Sequence, residues 1–63
     1  MTIHPIAEKY AGEDCFLDDE PAVVQGRLLK FAEVKSLTSS KEATFSWEAV
    51  ERVMTNNNRR FEI

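Results

Sequence analysis

Polar and apolar residues alternate from Lys41 to Phe45, the period of a strand with one buried face. From Trp47 the period changes: Trp47, Val50 and Met54 stand at i, i+3 and i+7, one face of a helix. Ser46 occupies the place of an N-cap, and Phe45 and Val50 flank it at the spacing of a hydrophobic staple. Glu48 and Arg52 stand i, i+4 in the favourable order. Lys41 to Met54 therefore predicts a strand-to-helix corner, and the rest of the chain must supply the surface on which both faces pack.

Upstream, Pro5 to Tyr10 predicts one to two helical turns, with Pro5 at the first helical position and Gly12 after the last. So short a helix forms only if Ile6 and Tyr10 dock on the remainder. Cys15-Phe16-Leu17 is a short apolar run, and Asp18-Asp19-Glu20 supplies turn-forming side chains before Pro21. The next stretch has two readings. A helix over about 21–37 would begin at Asp19 and carry Val24, Leu28 and Phe31 on one face. Against it, Gly26 in the interior costs about 1 kcal/mol, and Val23, Val24 and Val34 favour extended chain. Strands are preferred, with Gly26 marking a bulge or sharp bend. Thr38-Ser39-Ser40-Lys41 is a connector of hairpin length that makes 28–37 and 43–47 antiparallel neighbours. Asn56-Asn57-Asn58 should stop the helix, and Arg59 to Ile63 alternates again as a last short strand. The expected class is mainly β: a small barrel or curved antiparallel sheet with one short C-terminal helix before the last strand. The alternative is α+β with a helix at about 21–37.

This order resembles the small SH3-like β-barrels, in which a short helix precedes the final strand. The phrases FLDDEPAVVQGRLLKFAEV and FSWEAVERVM…RRF are also similar to short hypothetical proteins of bacteriophages and mobile elements. The likeness spans residues 15–61 and carries no catalytic or ligand-binding motif, so it transfers no functional residue. It implies a small accessory protein.

Size sharpens the problem. At 63 residues the chain is one small domain, 1–63, with 1–12 weakly structured or docked, near the lower limit for independent folding. Cys15 is the only cysteine and His4 the only histidine, so neither an intrachain disulfide nor a structural zinc site is expected. A homodimer or an economical core is the remaining remedy. Net charge is −3, with six acids and one base in residues 1–20 against seven bases and five acids in 21–63. The simplest account is that the two parts neutralise each other within one fold; the other is a binding surface. Residues 1–20 lack a basic start and a long apolar run, and the longest apolar run is three residues, so neither a secretion signal nor a membrane span is expected. A lone thiol without a signal points to a reducing cytoplasm.

Candidate chemistry is sparse. Gly12 and Gly26 are too far apart for a phosphate loop, and metal-ligand spacing is absent. Asp18-Asp19-Glu20 reads as a solvated turn rather than a cation site. Cys15 and His4 form the one conceivable nucleophile pair, but nothing in the sequence orients or activates either. No catalytic, cofactor-binding or metal residue is therefore assigned, no cofactor is expected, and an enzyme is not. Nucleic-acid binding would draw on Lys30-Phe31, Trp47 and Arg59-Arg60-Phe61; against it stand a pI near 5.0 and no basic run beyond two. All three aromatics are better read as core. A protein partner is the preferred expectation, through the acidic segment Glu8–Glu20 or an open sheet edge at Phe61–Ile63 or Cys15–Leu17.

Overall fold

The computed structural model describes residues 3–56 and 58–62. The ends of the chain (Met1, Thr2 and Ile63) and the middle asparagine, Asn57, lie outside the described residues. So do the parts of the expected last strand and helix stop that fall on Ile63 and Asn57.

The order is α1 (Pro5–Tyr10), β1 (Asp14–Leu17), β2 (Glu20–Gln25), β3 (Phe31–Ser36), β4 (Glu42–Ser46), α2 (Trp47–Met54) and β5 (Arg60–Phe61). The five strands make one curled half-barrel sheet in the order β4-β3-β2-β1-β5. The expected mainly β class is observed, with a short helix before the last strand and a short N-terminal helix. The sheet is mixed rather than wholly antiparallel, because β5 runs parallel to β1, with Phe16 beside Arg60 and Leu17 beside Phe61.

Each corner has a local cause. β1 and β2 are joined by Asp18 and Asp19, both with positive φ (49° and 67°). That is the demand of a two-residue turn matched to strand twist, and Asp tolerates it. Gly26, at φ 94°, ends β2, and a Cβ there would lie 2.9 Å from the Phe31 carbonyl oxygen. The chain thus reverses at Gly26 instead of only bending. The strand anticipated from Leu28 begins at Phe31, and no helix occupies 21–37. Ser46 caps α2, its Oγ accepting the Ala49 N–H at 3.2 Å. Among the described residues after α2, Arg59 has left-handed backbone (φ 45°), and Asn56 Oδ1 accepts the Asn58 N–H.

Alternation decides the core. Cys15, Leu17, Ala22, Val24, Ala32, Val34 and Phe61 face inward from the sheet, and Trp47, Val50 and Met54 from α2 fill the concave side. α1 adds Ala7 and Tyr10. No polar side chain is buried among the described residues. Phe45 and Phe61, from the two edge strands, meet across the opening of the half-barrel with ring centroids 4.9 Å apart.

Candidate interaction surface

The convex side of the sheet is not uniformly polar. On β1 the residues between the buried ones are Asp14 and Phe16; on β2 they are Pro21 and Val23. Phe16 stands opposite Pro21 in the ladder and is 45% exposed. Leu37, just past β3, is 63% exposed, and its N–H donates to the Pro21 carbonyl at 2.8 Å. These three side chains line an open groove of about 460 Å³, to which Asp14 and Arg59 contribute one charge of each sign. The Arg59 carbonyl accepts the Phe16 N–H at 2.9 Å, which fixes the basic residue next to the aromatic one. Arg59 takes part in no ion pair among the described residues.

The loop behind Leu37 is tied down from a distance. Glu20 Oε1 accepts hydroxyl hydrogen bonds from Ser36 (3.0 Å), Thr38 (3.1 Å) and Ser39 (2.6 Å). Lys41 Nζ lies 3.4 Å from Glu20 Oε2 and 3.6 Å from Asp18 Oδ2. The hydroxyl donors of Ser39 and Ser36, first of all, stabilise the carboxylate and hold Glu20 down to about 2. The clasp fixes residues 36–41 to the start of β2 and so sets Leu37 beside Pro21.

A second apolar hollow, about 390 Å³, lies between the start of the chain and the Gly26–Lys30 turn, lined by His4, Pro5, Leu28, Leu29 and Lys30. His4 Nδ1 accepts the Ile6 N–H, so the tautomer carries its proton on Nε2, 3.2 Å from Glu48 Oε2. Trp47 Nε1–H donates to the Leu29 carbonyl at 3.0 Å and anchors the turn.

The residues singled out in the sequence separate clearly. Trp47 and Phe61 are core; Phe31 is not, being 43% exposed. Cys15 is buried in the cluster, and its thiol is pushed up to about 11 by burial, then by the Asp14 charge, with Arg59 opposing. Such a thiol stays protonated at neutral pH. His4 is occupied as the α1 cap. Of the six acids from Glu8 to Glu20, three meet bases from the back of the chain: Asp18 and Glu20 at Lys41, and Asp19 at Arg60 (3.2 Å). Cys15–Leu17 is not an open edge, because β1 is paired on both sides. The edges are β4 and β5. Phe16 and Leu37 had not been singled out. Strict alternation through Cys15-Phe16-Leu17 was the available signal for Phe16, since it sets the central residue on the opposite face from its neighbours.

Comparison with known proteins adds nothing to this picture: no protein-family model, no curated protein and no solved structure matches the chain.

Proposed function

We propose that this chain is a non-catalytic accessory module of bacteriophage or mobile-element type that binds another protein in a reducing cytoplasm. The supporting observation is the Phe16–Pro21–Leu37 groove. A chain with so small a core leaves these side chains on the solvent face of the sheet, where polar residues normally stand. The groove suits a partner segment that inserts one bulky apolar side chain. Arg59 and Asp14 beside it are placed for polar contacts at the rim. One cation in the lining is too few for phosphate-dominated binding. The alternative, a small-barrel nucleic-acid-binding protein, retains Phe31 with Lys30 and Arg27 as its exposed aromatic and basic residues.

The test is capture from the native host with wild type, Leu37→Asp and the control Glu51→Ala. A protein recovered by wild type and Glu51→Ala but not by Leu37→Asp, at unchanged melting temperature, supports the groove. Recovery of nothing above background, or equal recovery by all three, overturns it. Single-stranded DNA binding that weakens steeply with salt favours the alternative.

A further inference from the structure

We infer that the β4 edge is a self-pairing surface, and that two copies of this chain join β4 to β4 antiparallel about a twofold axis at Thr44. The inference is independent of the groove, which lies over β1 and β2, whereas β4 is the far edge of the sheet.

Backbone parity identifies the free groups. The Ser36 N–H donates to the Lys41 carbonyl, so Ser36–Lys41 is a hydrogen-bonded pair. Counting along the register, Val34–Ala43 and Ala32–Phe45 are hydrogen-bonded pairs too. Glu33–Thr44 and Lys35–Glu42 are the intervening pairs, so the N–H and C=O groups of Glu42 and Thr44 turn away from β3 into solvent. The usual protections of an edge are few here. β4 has no proline, its five register pairs run without a bulge, its inward side chains are Ala43 and Phe45, and Glu42 is its single charge. The other edge, β5, offers only two residues.

The edge is self-complementary. With Thr44 opposite Thr44 of the second copy, Ala43 faces Phe45 on the concave side and Glu42 faces Ser46 on the convex side. No like charges meet. The half-buried Ala43 and Phe45 are covered, and the two Thr44 residues exchange both backbone hydrogen bonds.

Sedimentation equilibrium tests this. The wild-type mass is expected to rise with concentration from 7.2 kDa toward twice that value. Thr44→Pro removes the outward N–H, which an edge strand tolerates, and is expected to leave a folded monomer. Thr44→Lys sets two like charges at the axis and is expected to weaken the dimer about fivefold. In a Cys15→Ala background, Thr44→Cys should be joined to its copy by a short bis-maleimide, and Glu51→Cys should not. A wild-type mass fixed at 7.2 kDa up to about 1 mM overturns the inference, as does a folded Thr44→Pro or Thr44→Lys variant that dimerises like wild type.

Discussion

Trp47 joins three parts of the molecule through one side chain. It opens α2, fills the centre of the core at 1% exposure, and donates its indole N–H to the Leu29 carbonyl of the Gly26–Lys30 turn. Trp47→Ala is expected to cost about 3 kcal/mol or more, as large core truncations do. Trp47→Phe keeps most of the volume but leaves the Leu29 carbonyl without its donor, at about 1–3 kcal/mol. Urea denaturation of both variants checks the order; equal losses would show that the indole hydrogen bond, which both variants lack, outweighs the volume. The two glycines make a second pair of measurements. Both have positive φ, near 90°, but a Cβ meets nothing within 4 Å at Gly12 and a backbone oxygen at 2.9 Å at Gly26. Gly12→Ala should therefore cost about 1 kcal/mol, the backbone penalty alone, and Gly26→Ala about 2 kcal/mol or more. The role of Trp47 in the core was legible from its spacing to Val50 and Met54. Its bond to Leu29 was not, because a partner eighteen residues away leaves no local pattern.

At the scale of elements, the same contrast separates what local chemistry encodes from what only folding assembles. α2 was legible because Ser46, Phe45 and the apolar stripe all act within a few residues, and the structure starts the helix at Trp47. The Gly26 turn was only half legible. A glycine signals freedom of backbone, but its sharpness is set by the Phe31 carbonyl that β3 brings alongside. The clasp at Glu20 left no trace in the sequence, since its hydroxyl partners lie sixteen to nineteen residues downstream. It has a measurable pH signature. Glu20 ionises near 4.5 in an unfolded chain and at about 2 when folded. A depressed folded-state value means that its contribution is complete above pH 4.5 and is lost as the pH falls from there toward 2. Urea midpoints of wild type and Glu20→Gln should accordingly differ at pH 7 and converge near pH 2. A gap that persists at pH 2 would assign the stabilisation to packing of the side chain, not to its charge.

The whole molecule closes its core with parts that are each too weak to stand alone. The half-barrel has an opening between β4 and β5, bridged on its concave side by α2 and the Phe45–Phe61 contact, and α1 packs beside α2 with Ala7 and Tyr10 buried. The mainly β character was legible because the strand signals were local. The parallel pairing of β5 was not, because two residues carry no directional pattern and the pairing depends on where α2 delivers the chain. α1 is the informative element at this scale. Six residues do not make a stable helix in water, so α1 persists only by docking. The dependence also runs the other way: without it, the core loses Ala7 and Tyr10 and the packing of Ile3, Ile6 and Ala11 against the buried cluster. Burying one large apolar side chain contributes roughly 1.5–3 kcal/mol, and a chain of this size has a margin of about 3–5 kcal/mol. Removing residues 1–11 takes away several such contributions at once. The shortened chain is therefore expected to show no cooperative thermal transition. Tyr10→Ala alone, which removes one large side chain from the same interface, should lower the midpoint while keeping a single transition. A sharp transition in the shortened chain, near the wild-type temperature, would show that the half-barrel is self-sufficient and that α1 rests on a core already complete.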